Sequence, residues 1–276
     1  MRLDVAPTVL AEKRKPLGRV RLAFERRGGR TVLARKFASS PFGAVRAHYP
    51  DENGMPEVQI TNPSGGILGG DDLEIQIDLA SDSHATVLTQ AANKAYRGVE
   101  SVQRAELWVG ENALLEYLPH HLIPHPKSSY RAATKFHLAS TATLITWDAY
   151  AARRIARAER FAFDKLHAKT TILRDGIPAA IDGLHLTGGH EHFGGYSYLA
   201  SVYIVAPTDL SQLAEELHDA LAYKPRTLAS ASDPAREICA VRILTDNATD
   251  LYKMMNRCRE ISRSFLDLPP PSRPIS

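Results

Sequence analysis

Leu73-Glu-Ile-Gln-Ile-Asp-Leu-Ala-Ser-Asp-Ser-His-Ala85 alternates apolar and polar residues as far as Leu79 and then breaks into a short polar turn. A period of two puts Leu73, Ile75, Ile77 and Leu79 on one buried face of a strand. Two later segments echo the end of this stretch: Leu107-Trp-Val-Gly-Glu-Asn-Ala113 and Phe136-His-Leu-Ala-Ser-Thr-Ala142. Their alanines follow Ala85 at intervals of 28 and 29 residues, and each is followed by another β-type run. Strand, small-residue turn, alanine, strand at a near-fixed period predicts stacked β layers that bury their apolar faces on one another.

Working outward, Val58-Gln-Ile60 and Ser197 to Val205 also read as strands. The pairs Gly28-Gly29, Asn53-Gly54 and Asp175-Gly176 tolerate the positive φ of tight hairpins. Two helices are expected late in the chain. Thr208 can cap one carrying Leu210, Leu213, Leu217 and Leu221 on a single stripe. The other runs from about Ala248 to Phe265 with Leu251, Met254, Met255, Cys258, Ile261 and Phe265 at helical spacing, a face that docks on the sheets or on a partner. The predicted fold is therefore mostly β: a layered, β-helix-like stack with two α-helices in the C-terminal third. Residues 1–268 form one domain, and Pro269-Pro-Pro-Ser-Arg-Pro274 begins a flexible, Pro-rich tail covering 269–276.

Composition narrows the function. Among 276 residues, 34 Lys plus Arg against 31 Asp plus Glu leave a formal charge of +3. That balance lacks the concentrated basic face of a nucleic-acid binder. No apolar run approaches the roughly 20 residues that span a bilayer. Lys13, Arg14 and Lys15 are not followed by the apolar core of a secretory signal. Two cysteines, Cys239 and Cys258, fit a reducing compartment, so a cytoplasmic location is expected.

The most distinctive motif is Asn62-Pro-Ser-Gly-Gly-Ile-Leu-Gly-Gly-Asp71. It lacks the Gly-Lys-Ser/Thr ending of a phosphate loop and leads into a strand rather than a helix, so it reads as a β-corner aiming Asp71 or Asp72. Downstream, Thr89-Gln-Ala-Ala-Asn-Lys-Ala-Tyr-Arg97 is a polar run whose Thr89, Lys94, Tyr96 and Arg97 line a channel, meet a partner or sit on a solvated loop. The histidines fall in two sequence-local groups, 120, 121 and 125 and then 190 and 192, of the type that ligates nickel, but a firm site needs three or four that converge, and sequence does not bring the two groups together. The zinc-peptidase pattern fails because Gly194 stands where the second histidine belongs, and no Gly-x-Ser-x-Gly elbow occurs. Arg153, Arg154, Arg157 and Arg160 read as a solvated face or as a surface for an acidic partner.

With His84-Ala85 and Lys94-Ala-Tyr-Arg97 following it, the glycine-aspartate motif resembles the urease accessory protein UreD (UreH) family. That family shows Asn/His-Pro-x-Gly-Gly, two hydrophobic residues, Gly-Gly-Asp, an alternating strand and Thr-Lys-hydrophobic-Tyr-Arg. Leu115-Glu-Tyr-Leu-Pro119, Trp147-Asp148, Glu159-Arg-Phe161 and Arg174-Asp-Gly176 extend the likeness from about Leu17 to Phe265. This chain departs from the pattern in carrying Ala91-Ala92-Asn93-Lys94 for the family's Gly-Ala-Thr-Lys, and Ala152 and Ala158 for the glycines that frame the segment before Glu159. The histidines at 120, 121 and 125 are not a hallmark of the family.

The resemblance implies a scaffold that is not an enzyme. With UreF-like and UreG-like partners on apo-urease, it would pass nickel through a polar interior and hold no permanent cofactor. Transit-path candidates are then Asp71, Thr89, Asp148 and Glu159, with Glu159 first among them; Lys94, Tyr96 and Arg97 hold the loop or contact a partner. Each acid has a plainer role as a buried carboxylate paired with an arginine. Two other readings stand beside this one: a β-rich hydrolase or isomerase using His84, Asp71 and Glu159, and a stand-alone metal-binding protein using the five histidines.

Overall fold

A β-hairpin opens the computed structural model, which describes residues 17–50, 53–154, 159–222 and 226–275, with only the backbone of Arg153, Arg154 and Glu159. Lys13, Arg14, Lys15 and Arg157 lie outside these residues. The hairpin joins β1 (Gly18–Arg27) to β2 (Arg30–Ser39) and is followed by β3 (Gly43–Ala44) and β4 (Glu57–Thr61). Next come β5 (Asp72–Leu79), β6 (His84–Thr89) and the short β7 (Asn93–Ala95). The pattern recurs as β8 (Ser101–Val109), β9 (Leu114–Leu118) and the short β10 (Leu122–Pro124), then β11 (Ser129–Leu138) and β12 (Thr143–Ala151). A small ladder follows, β13 (Arg153–Arg154) with β14 (Glu159–Arg160), and then β15 (Lys165–Arg174), β16 (Ile177–Thr187) and β17 (Tyr198–Val205). The chain ends with α1 (Ser211–Ala220), β18 (Thr227–Ala235), β19 (Ile238–Thr245) and α2 (Ala248–Phe265).

The repeat builds two facing sheets. Its first strands, β5, β8 and β11, lie parallel at the centre of a seven-stranded sheet ordered β16-β15-β11-β8-β5-β1-β2. Its second strands, β6, β9 and β12, lie parallel within a ten-stranded sheet along β18-β19-β17-β12-β9-β6-β4-β3. The expected layered, mostly β stack is therefore observed, with both helices in the C-terminal third.

Register corrects the period. Leu79, Val109 and Leu138 are partners across the first sheet, and His84, Leu114 and Thr143 across the second, so the true spacings are 30 and 29 residues. The counterpart of Ala113 and Ala142 is Ser83, not Ala85. Each of the three closes the same turn: the amides of Ser83, Ala113 and Ala142 donate to the carbonyls of Ala80, Gly110 and Ala139. All three are buried, so a small side chain is what the turn requires.

Gly28-Gly29 and Asp175-Gly176 make the expected hairpins, with positive φ at all four residues. Asn53-Gly54 does not. It lies in the loop between β3 and β4, where the Gly54 carbonyl accepts from the amide of Thr31 on β2. Helix α1 starts at Ser211 with Leu210 as its N-cap, and the Asp209 carboxylate takes the Ser211 amide at 3.0 Å in place of a Thr208 cap. Leu210, Leu213, Leu217 and Leu221 are all buried, as their spacing predicts. Both helices cover the outer face of the ten-stranded sheet over a second core that includes Trp147, Val202 and Val241.

The end of the chain departs from the flexible tail that its prolines predict. Asn256 of α2 holds Ile275 by both backbone polar groups, at 2.7 and 2.8 Å, and the Ile275 side chain is buried. Arg273 pairs with Glu57, and Arg263 donates to the Pro269 carbonyl at 2.5 Å. Proline limits the tail to an extended form, which here is a docked one.

Candidate functional site

Alternation along β12 sends Leu144 and Tyr150 into the core between the sheets and Ile145, Trp147, Ala149 and Ala151 toward the helices. The same parity places Asp148 between the sheets. Cross-strand register then sets it in a polar row, Asp148-Ser201-Arg242, on β12, β17 and β19. Opposite runs a second row on the other sheet, Thr134-Thr170-Asp182, on β11, β15 and β16. Two rows of polar side chains therefore meet inside an otherwise apolar sandwich.

Contacts tie the rows together. The Thr170 hydroxyl donates to Asp148 Oδ2 at 2.6 Å. Arg242 Nη2 pairs with Asp182 Oδ1 at 2.6 Å, its Nη1 donates to Ser201, and Tyr203 donates its phenol proton to Asp182. The two carboxyls are thus driven apart. Burial, reinforced by the nearby Asp182, pushes Asp148 above the usual carboxylate range despite Thr170. Burial also opposes ionisation of Asp182, but hydrogen bonds from Arg242 and Tyr203 hold it below that range. Among the described residues Asp148 has no ion-pair partner.

Two cavities flank this layer, each of about 230 Å³, and Asp148 and Tyr150 form part of the wall of both. The first is lined by Thr89, Gln103, His120 and Thr134 and reaches the surface at Gly65, Gln90 and Lys94. The second runs past Thr170 and Ser201 to the Asp182–Arg242 pair. The polar side chains along both trace a lane between the sheets that Asp148 and Tyr150 divide.

The glycine-rich motif shapes the entrance by close backbone packing. A Cβ on Gly66 would lie 2.5 Å from the Lys94 carbonyl, and one on Gly69 would lie 2.6 Å from Gly98 Cα. The loop is pinned by Ile67 N to Lys94 O and Tyr96 N to Ile67 O, at 2.7 and 2.8 Å. The Tyr96 hydroxyl reaches the Gly65 carbonyl, while Lys94 and Arg97 are exposed. Asp71 closes the same corner by accepting the Leu68 amide at 2.8 Å, and Asp72 pairs with Arg104.

Of the transit-path candidates, Thr89 and Asp148 line the lane and Asp71 does not. Glu159 sits in the β13–β14 ladder opposite Arg154, and its side chain is outside the described structure. The hydrolase constellation does not assemble. Asp71 precedes β5 and His84 follows its far end, so a strand of about 26 Å separates them.

Nor do the five histidines converge. His120 Nδ1 meets Thr89 Oγ1 at 3.2 Å, on the cavity side, whereas His121 Nδ1 meets the Tyr252 hydroxyl of α2 at 2.9 Å. His125 abuts the Tyr96 ring, and His190 and His192 lie in an exposed loop. Among the described residues, no group of three or more His, Cys, Asp or Glu side chains could hold a metal ion.

His121 instead makes folding sensitive to pH. Burial, with a further contribution from His120, pulls its pKa down to about 4 from an ordinary 6.5. The unfolded chain therefore takes up a proton first. Stability is complete above about pH 6.5 and declines as pH falls toward 4, by at most about 3 kcal/mol. His121→Phe is expected to flatten the dependence between pH 7 and 5 in urea titrations; an unchanged slope would place the sensitivity elsewhere.

Sequence reading missed Thr170, Asp182, Ser201, Tyr203 and Arg242. The signal was present in part, since Arg242 interrupts the apolar run Ile238-Cys-Ala-Val241 and Ser201 interrupts that of β17. It also missed the buried trio Glu116, Arg259 and Arg263, in which one carboxylate accepts from both guanidinium groups at 2.5 to 3.1 Å.

Comparison with known proteins bears on the whole chain. The family described as UreD urease accessory protein matches residues 17–275. A Klebsiella aerogenes protein named urease accessory protein UreD is 29% identical over 89% of this chain and 90% of its own length. A Streptomyces griseus protein named urease accessory protein UreD 2 is 33% identical over 91% and 90%. A Citrobacter koseri protein with the UreD name is 34% identical over 62% of this chain and 60% of its own length. Among the described residues no helix is long and apolar enough to cross a membrane. This chain belongs to the UreD family of urease accessory proteins.

Proposed function

We propose that this chain serves urease maturation without being an enzyme, as a subunit that conducts nickel in transit. In this reading Ni²⁺ moves along the polar lane between the sheets while the chain is assembled with UreF-like and UreG-like partners on apo-urease. The observation that carries the proposal is the half-buried carboxyl of Asp148, which has no ion-pair partner among the described residues and stands in the shared wall of two cavities. A carboxyl set between the sheets without a salt bridge, its pKa raised by desolvation, costs stability, which argues for a use beyond it.

The donors along the lane suit passage better than storage. Thr89, Thr170, Ser201 and Asp148 offer oxygen, which holds Ni²⁺ less firmly than clustered imidazoles or thiolates. Conduction requires sites that an ion enters readily and leaves readily. Lys94 and Arg97 on the entrance loop belong to the partner-facing surface in this reading, Glu159 remains a path candidate, and the location is cytoplasmic.

Urease activation in a host with and without this chain tests the proposal, alongside recovery of a complex on co-expression with the two partner types. Activation is expected to depend on the chain and the complex to form. Equal activation in its absence, or no association between folded chains, would overturn the reading.

A further inference from the structure

The second cavity reaches the surface at Gly183 of β16 and Arg242 of β19, both exposed, so Arg242 stands at its mouth. Its guanidinium bridges Asp182 and Ser201 and lies 3.4 Å from the Tyr203 hydroxyl. Its side chain is 51% exposed, against 29% for Asp182, so it can swing into water without losing hydration. Asp148, one step inward on the same cavity wall, has Thr170 as its hydrogen-bond donor.

We propose that Arg242 is a latch, the resident counter-ion of a weak divalent-cation stop formed by Asp148 and Asp182. The inference rests on the transit reading and adds a specific gate to it. With Arg242 in place, Asp182 is neutralised at the mouth of the cavity. An arriving divalent cation balances the charge of both carboxylates and displaces the guanidinium outward. Ser201 and Tyr203 are then released as further oxygen donors. When Arg242 returns it competes for Asp182 and weakens the hold on the ion. A tethered competing cation is a direct way to keep such a stop from becoming a trap.

The latch makes an unusual forecast: removing a positive charge should improve binding and impair delivery. Ni²⁺ alone is the probe, titrated into the full chain by equilibrium dialysis. The part due to the stop is the difference from Asp148→Asn, so binding by surface histidines cancels. Arg242→Gln is expected to tighten that component about tenfold, the size of effect when one neighbouring charge is lost, while urease activation falls. Adding Asp182→Asn to Arg242→Gln should abolish the gain. Arg242→Lys keeps the charge but loses the fork that reaches Ser201 and Tyr203, and should fall between. Arg242→Gln binding no tighter than the parent, with an unchanged unfolding midpoint, would overturn the latch. Should that variant fail to fold, Arg242→Lys decides: tightening supports the latch and unchanged affinity overturns it. If Asp148→Asn alters neither Ni²⁺ binding nor activation, the transit reading itself fails; if it impairs both while Arg242→Gln does not tighten, only the latch fails.

Discussion

Glu116→Ala is expected to cost about 3–5 kcal/mol of folding stability, the range found when one member of a buried ion cluster is deleted. Glu116 is fully buried on β9, and Arg259 and Arg263 of α2 are 4% and 2% exposed. Its two oxygens accept Arg259 Nε and Nη2, Arg263 Nη1 and the Thr86 hydroxyl. Truncation strands two guanidinium groups beneath the helix with no acid to balance them. The same helix carries the Asn256 clamp on Ile275, so the C-terminal segment should loosen with it. Chemical denaturation measures the loss, and protease sensitivity near residue 270 reports the release. A cost under 1 kcal/mol would mean that water reaches both arginines and that the cluster is not sealed. Replacing all three charged residues by apolar ones of similar volume should cost far less, because desolvation is removed together with attraction.

The cluster also has a pH signature. Burial opposes ionisation of Glu116, but Arg259 and Arg263 prevail and hold its carboxyl below the usual range. A depressed carboxyl contributes stability that is complete above its ordinary pKa of 4.5 and is lost as pH falls below it. This lies under the His121 window, so acid unfolding should proceed in two phases of the same sign. Glu116→Gln should remove the lower one.

What could be read in the chain before its fold was the part that depends on local period. Leu73 to Leu79 alternates, the small turn residues recur, and the stripes of both helices are present in the sequence. The architecture follows from these because each strand pair can bury its face only on the next. Even the error over Ala85 has a local cause, since alanine occurs both at the turn position and two residues beyond it. The polar lane was beyond local reading. Asp148, Ser201 and Arg242 come from three strands, and their shared row is created by register. Arg259 and Arg263 look solvated on a helical wheel until the partner on β9 is known. The histidines show the converse, since closeness along the chain gave His120 and His121 different hydrogen-bond partners, Thr89 and Tyr252, and no shared ligand set.

Asp148→Asn should separate function from stability. Asparagine keeps the shape and can still accept the Thr170 proton, but it carries no charge in any state. Because the folded chain raises the Asp148 pKa, it holds that proton more firmly than the unfolded chain does. Stability tied to this group is therefore greatest at low pH and declines as pH rises from the ordinary carboxyl value through the raised one. Removing the ionisable group abolishes that decline, so the variant should be at least as stable as the parent at neutral pH and assemble with its partners normally. Urease activation should nonetheless fall about tenfold or more, the effect of losing one charged ligand worth about 1.5–3 kcal/mol along the route of a divalent cation. Thr170→Val is the necessary companion: it removes the hydrogen bond and leaves the carboxylate, so it should lower stability with a smaller effect on activation. A core substitution that stabilises the fold while disabling delivery is hard to explain by packing. If both variants lose activation in proportion to lost stability, Asp148 is a structural acid and the lane carries nothing.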